Sequence, residues 1–371
     1  MKILVFPRDE SNPYQSLLYG EMAGMGAQVT YLGELTPSHT FNVLLLPLEL
    51  AGRRLGGARL AHLHWVFGFS LPGGAGSKLM RRAAQAWFAA WLRTARLLGV
   101  HLVWTVHNVL PHGTVFADDV RARRQLVAAC DLVIAHAASA LSELAALGAS
   151  LPVTAVIRHG PIGPAVSAGA MRTPGTGGCR RRFLFVGKVR PYKGVEDLLT
   201  AFGSLPGHIA AELTVAGQCD DPETRAKLRG LAERAGERVS LRLERIPDEE
   251  MVALFAVADV VVLPFRRVTT SGSAVLALSH GRPLIVPDLR ALADLPDGAI
   301  ARYDGTIPGL AAAVTQLSSA PSVTLAAMSA AALAYTTSIT WEDIAKETMS
   351  MMTAILGHPQ PVPTGQPAGR T

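Results

Sequence analysis

Two lysines, an arginine and two glycines crowd into Gly187-Lys188-Val189-Arg190-Pro191-Tyr192-Lys193-Gly194. The loop follows the apolar run 183–186 and precedes a helix-patterned stretch, 195–202. A strand that turns through glycines into a helix presents free backbone N–H groups and the positive helix end to an anion. Ammonium and guanidinium groups on that turn add the charge that a diphosphate needs. A solvated basic turn between sheet and helix fits the same residues, so both readings stay open on the loop alone.

The elements that must hold this loop are strands and helices in alternation, the pattern of parallel sheets covered by helices. Strands are expected at 3–6, 29–32, 43–46, 102–106, 132–135 and 153–157 in the first half. In the second half they are expected at 183–186, 213–216, 239–243, 260–263 and 284–286. Each half can build its own doubly wound α/β sheet, and 371 residues exceed what one core usually serves. Residues 1–166 read as one domain and 183–335 as the other. The Gly-, Ser-, Thr-, Pro- and Arg-rich stretch 167–182 reads as the linker between them, and the Pro/Gly/Thr-rich tail 357–371 as disordered.

Apolar residues make up 49% of the chain, yet no apolar run approaches the ~20 residues of a membrane span. The N-terminal 1–7 reads as a first core strand with no cleavage-site pattern, so a cytoplasmic location is expected. Cys130, Cys179 and Cys219 lack metal-ligand spacing and fit a reducing compartment. A net charge of +6 suits anionic partners. Nucleic acid ranks low among them, because no reader motif is present. Residues 73–78 lack the residue order of a triphosphate-binding loop, and no Gly-x-Gly-x-x-Gly follows the first strand of either half, which disfavours a dinucleotide oxidoreductase.

The stretch 183–202 resembles the opening of the donor domain of GT-B glycosyltransferases of family 4, the glycosyl transferases group 1. Further landmarks resembling that family follow in order at 213–217, 245–251, 258–264 and 281–288. The resemblance implies two Rossmann-like domains facing a cleft, the first for the acceptor and the second for a nucleotide-sugar donor. A helix at 336–356 would cross back to the first domain. The family's diphosphate-binding Arg and Lys fall on Lys188 and Lys193, with Lys standing for Arg at the first. Arg190 can supply the planar fork that a lysine lacks. Gly187 opens the loop, and the segment at Ile246 and Pro247 resembles the one whose backbone meets the base.

Ser271, Gly272 and Ser273 resemble in placement the family's glycine turn at a helix N-terminus and are expected phosphate contacts. An ordinary helix cap is the other reading of those hydroxyls. The family's two glutamates around this turn fall on Val268 and Leu276, neither of which can accept a side-chain hydrogen bond. No Asp-X-Asp pair is placed to carry a divalent metal, and Cys219-Asp-Asp-Pro reads as a surface loop. The expectation is therefore chemistry without metal or cofactor beyond the donor itself.

On the acceptor side, Asn12-Pro13-Tyr14 sits where such enzymes place an acceptor-facing loop, although an Asn-Pro turn with a packed tyrosine fits equally. Thr105-Val106-His107 resembles the family segment near the transferred sugar, which makes His107 the first candidate to contact that sugar or stabilise charge. His112 is a candidate general base for an inverting reaction. His62, His64, His136 and His159 also lie near strand ends, so position alone selects no base. Residues 78–98 set Met80, Ala84, Trp87, Trp91, Ala95 and Leu98 on one helical face, with Lys78, Arg82, Arg93 and Arg96 elsewhere. A core helix with a solvated basic face and a helix lying on an anionic membrane both fit.

The function implied is metal-independent, retaining transfer of a sugar from a nucleotide diphosphate sugar to a hydroxyl of a glycan, a glycolipid or a small natural product. A lipid-linked acceptor would place the protein at the inner face of the cell membrane. A nucleotide-sugar 2-epimerase of the same fold and a catalytically silent nucleotide-sugar-binding subunit are the alternatives.

Overall fold

The computed structural model of the chain describes residues 1–10, 12–71, 77–111, 113–163 and 180–357. His112, Cys179, the expected linker up to residue 179, the glycines of 73–76 and the tail from residue 358 lie outside these described residues. The chain divides into two compact units, Met1–Arg158 with Trp341–Thr371, and His159–Thr340.

The first unit alternates β1 (Lys2–Phe6), α1 (Pro13–Gly24), β2 (Gln28–Tyr31), α2 (His39–Leu55), β3 (Leu60–Leu63), α3 (Lys78–Leu97), β4 (His101–Val106), α4 (Asp119–Ala129), β5 (Leu132–Ala135), α5 (Ala138–Ala146) and β6 (Val153–Val156). All pairings are parallel and the strand order is β2-β1-β3-β4-β5-β6. Helices on both faces bury β3, β4 and β5 completely, as expected of central strands in a parallel sheet.

The second unit contains β7 (Arg181–Val186), α6 (Val195–Gly203), β8 (Ala211–Ala216), α7 (Pro222–Ala235), β9 (Val239–Arg242), α8 (Asp248–Val257), β10 (Val260–Val262), α9 (Gly272–Ser279), β11 (Leu284–Pro287), β12 (Ile300–Tyr303), α10 (Ile307–Ser318) and α11 (Ser322–Thr337). Its sheet is again all parallel, in the order β12-β11-β10-β7-β8-β9. A final helix, α12 (Trp341–Leu356), belongs to the first unit and packs along α1.

One expected strand is corrected. Residues 43–46 lie inside α2, where Val43, Leu46 and Leu50 are buried at helical spacing and the Ser38 side chain caps the first turn. A four-residue apolar run does not by itself distinguish strand from helix. The central place in that sheet is taken by β3, whose Leu-Ala-His-Leu was not expected to be a strand, and β12 was likewise unforeseen. No single described helix is long and apolar enough to cross a membrane, and the α10–α11 pair that meets the length and composition together is bent by 109°.

Candidate functional site

Strand order in the second sheet reverses between β7 and β10, and open parallel sheets bind ligands at the carboxyl ends of the strands at such a point. Gly187 is the first residue past β7 and has a φ of 131°. A Cβ on Gly217, at the end of β8, would sit 2.1 Å from the Gly187 carbonyl oxygen. A Cβ on Gly194, whose φ is 68°, would sit 1.9 Å from the Pro264 oxygen. The loops leaving β7, β8 and β10 thus meet at backbone distances that admit only glycine.

Onto this glycine floor Lys193 extends its ammonium. Lys193 Nζ is 3.4 Å from Ser273 Oγ, and both atoms lie within 3.4 Å of where a Gly187 Cβ would be. Burial pushes the Lys193 ammonium down to a pKa of about 8. Ser271 is the N-cap of α9, its Oγ accepting from Ala274 N at 3.0 Å. The capping reading therefore holds for the Ser271 side chain, while the first-turn N–H groups at Gly272 and Ser273 are donors that a helix cannot satisfy internally. In the same turn Thr270 Oγ1 is buried with no hydrogen-bond partner among the described residues. Arg266 braces the floor from outside, holding Asp197 by two bonds of 2.7 Å and donating its backbone N–H to Tyr192 O at 2.8 Å.

The structure separates the three expected cations. Lys188 and Arg190 are exposed and both reach one carboxylate, Asp220 Oδ2, at 3.0 and 3.1 Å. A hydrogen bond from Lys188 holds the Asp220 carboxyl below the usual carboxylate range. The loop containing Asp220 is a surface one except at Cys219, which is buried. Ile246 is buried and Pro247 caps α8, beyond β9, two strands from β7 and so about 10 Å across the sheet. Val268 and Leu276 pack against the apolar cluster beneath the sheet. Among the described residues, no group of three or more His, Cys, Asp or Glu side chains is placed to hold a metal ion.

In the first unit the strand order reverses between β1 and β3. His64, His107 and His136 each stand one residue past the ends of the neighbouring strands β3, β4 and β5; parallel register sets His107 level with His136, while His64, level with Thr105, reaches His107 through its side chain. His107 Nε2 is 2.9 Å from His64 Nδ1, and its ring stacks on Trp65 with centroids 4.4 Å apart. Behind it a buried chain continues: His64 Nε2 to Tyr19 OH at 2.6 Å, Tyr19 OH to His62 Nδ1 at 2.8 Å, and His62 Nε2 to Thr105 Oγ1 at 2.8 Å. Burial pushes His62 down to a pKa of about 3 and His64 well below its usual value, so both rings are neutral. Tyr19 was not anticipated, because α1 meets β3 only in the folded chain. Asn12 caps α1 through its side chain and Tyr14 is buried edge-on to His107, which is the packed-tyrosine reading of that loop. His159 is buried, with Nδ1 2.7 Å from Gly160 O.

The apolar face of α3 is turned into the core through Ala84, Phe88, Trp91, Leu92 and Ala95, while Lys78, Arg82 and Arg93 are exposed. Trp87, expected on that face, lies at its edge and donates Nε1 to Val43 O at 2.9 Å. The core-helix reading of α3 therefore describes its apolar side.

Residues 180–320 match the model of the family described as Glycosyl transferases group 1. A GDP-mannose:glycolipid 4-beta-D-mannosyltransferase of Xanthomonas campestris pv. campestris is 28% identical over 231 residues, covering 61% of this chain and 60% of that protein. A glycogen synthase of Mycobacterium tuberculosis is 29% identical over 248 residues, covering 64% and 58%. The chain thus spans about three fifths of the length of these curated relatives. Among solved structures, sucrose-phosphate synthase from Thermosynechococcus elongatus superposes with a TM-score of 0.71 at 16% identity, over 96% of this chain and 98% of that one. HepE of Anabaena, solved in complex with UDP-glucose, gives 0.67 at 16% identity over 95% and 100%. The fold is GT-B.

Proposed function

We propose that this chain, a GT-B protein whose second unit carries a glycosyl transferases group 1 domain, moves a sugar from a nucleotide diphosphate sugar to an acceptor hydroxyl. The observation that carries the reading is the convergence of Lys193 Nζ, Ser273 Oγ and the first turn of α9 on the glycine floor at the β7–β10 switch point. Bond cleavage at the donor leaves negative charge on the diphosphate. A largely desolvated ammonium and fixed N–H donors stabilise that charge without reorganising. Thr270 Oγ1 gains a partner when an oxyanion occupies the turn. Lys188 and Arg190 add charge at the exposed edge, Ile246 and Pro247 offer backbone to the base, and the transfer is metal-independent and retaining.

In the first unit, His107 faces the reacting sugar, its ring orientation set by His64 and Trp65. The Xanthomonas relative is named for a GDP-mannose donor and a glycolipid acceptor, which puts GDP-mannose first among donors to try. Phe41, Leu44, Leu48 and Leu55 are exposed on α2, and Lys78, Arg82 and Arg93 are exposed on the neighbouring α3. Such an apolar and basic surface suits an anionic lipid leaflet carrying the acceptor.

The test is a mass-spectrometric screen of GDP-, UDP- and dTDP-sugars in EDTA, with lipid-linked and soluble acceptors. One nucleotide diphosphate released with a glycosylated acceptor is the expected result, and Lys193→Ala lowers turnover by about 100-fold with the fold retained. Donor consumed without acceptor would point to an epimerase, and binding without turnover to a silent binder. Unchanged turnover in Lys193→Ala would remove the lysine from the mechanism.

A further inference from the structure

At the carboxyl ends of β3 and β4 the first unit holds a cavity of about 390 Å³, lined in part by Trp65, Val66, Ser70, Asn108, Thr114 and Arg123. That size falls within the range of small-ligand sites, roughly 300–1,000 Å³. Its least expected wall is Arg123, on α4, which is 3% exposed. A guanidinium carries five N–H donors. Here Nε donates to Val109 O and the group lies 4.7 Å over the Trp104 ring, and among the described residues no carboxylate forms an ion pair with it. The carboxylate whose charge it feels, Asp119, accepts instead from the backbone N–H groups of Val115 and Phe116. A buried cation without a counter-charge is costly, and an oxyanion in the adjoining cavity offsets that cost.

The other walls specify what carries the oxyanion. Trp65 and Val66 offer an apolar surface suited to the C–H face of a sugar ring, and Ser70, Asn108 and Thr114 offer hydroxyl and amide groups for its hydroxyls. We infer that this cavity is an acceptor pocket for an acidic sugar, in which Arg123 pairs with a phosphate or carboxylate borne by the ring. The inference rests on the transferase reading for the word acceptor, but the binding it asserts is read without turnover and is separable from that reading.

The experiment is calorimetric titration of the full chain with glucose 6-phosphate, glucuronate and glucose, each repeated with UDP present. At least one anionic sugar is expected to bind about tenfold or more tighter than glucose, the margin of a charge-assisted contact. Which of the two is preferred identifies the source of the oxyanion. Arg123→Met removes the margin. Because Arg123 also supports Val109 and Trp104, a second variant, Thr114→Glu, sets a carboxylate at an exposed point of the same wall and abolishes the margin with the arginine's own contacts intact. No preference over glucose, a margin that survives Thr114→Glu, or displacement of the anionic sugar by UDP would each overturn the inference. UDP affinity itself reports on the second unit, so its loss would count against the donor site and not against this pocket.

Discussion

Lys193 Nζ lies 3.4 Å from Ser273 Oγ, joining the loop after β7 to the first turn of α9 across the switch point of the second sheet. With a pKa pushed down to about 8, the ammonium is poised to titrate in the range where the protein can be assayed. A bound diphosphate favours the charged form and so raises that pKa, which means binding takes up a proton near pH 8. UDP affinity is therefore expected to fall as pH rises from 7 to 9, and calorimetry in buffers of different ionisation enthalpy should show proton uptake. Affinity flat across that range, with no uptake, would place the lysine outside the diphosphate site.

The floor under that contact depends on Gly194. A Cβ there meets the Pro264 oxygen at 1.9 Å, and the φ of 68° is one that L residues adopt at a cost of roughly 1–2 kcal/mol. Gly194→Ala is expected to lose more than about 2 kcal/mol of stability and to weaken UDP binding by separating the two loops. Gly203→Ala is the matched control, because its Cβ meets only Ala235 at 3.8 Å, and it should stay within about 0.5 kcal/mol of the wild type. Urea denaturation of the two variants side by side decides the point.

The loop after β7 was legible in the sequence as a turn from strand to helix because its glycines and cations are neighbours in the chain and its strand and helix patterns are strong. The cluster of His64, His107 and His136 was not. Its members lie one residue past three strands, one of which has no strand pattern in the sequence, and they meet only when those strands pair. Residues 43–46 are ambiguous because four apolar residues fit a strand as well as a helix face, and Arg123 carries no sequence signal because an arginine on a helix is ordinarily solvated. Asp220 carries no local signal either, because its two cationic partners come from a loop about thirty residues earlier in the chain.

That carboxylate gives a prediction of opposite sign to most substitutions in a binding site. Asp220 holds Lys188 and Arg190 at 3.0 and 3.1 Å, so it competes with a diphosphate for both. Exposed pairs of this kind are weak, and releasing them is a modest gain. Asp220→Asn should tighten UDP binding by about two- to fivefold at low salt, the gain shrinking as ionic strength rises. Weaker binding in the variant would mean that Asp220 orients the two cations for the ligand.

The buried chain in the first unit predicts acid lability of that unit. His62 and His64 are neutral when folded, with His62 pushed down to about 3 and His64 well below its usual value by burial, but titrate near 6.5 when unfolded. Between those limits the unfolded chain binds more protons, so stability is lost as pH falls from 6.5 towards 3. From pH 6 to pH 5 the two rings together should remove about 2 kcal/mol. All five tryptophans, Trp65, Trp87, Trp91, Trp104 and Trp341, belong to the first unit, so tryptophan fluorescence during urea unfolding follows that unit selectively. Tyr19→Phe keeps the ring and removes the hydroxyl shared by both histidines, and should lower the whole curve by about 1–3 kcal/mol at pH 7. Stability unchanged between pH 6 and pH 5 would show that these histidines titrate in the folded protein as they do in water, and the hydrogen-bonded chain behind His107 could not then be closed to solvent.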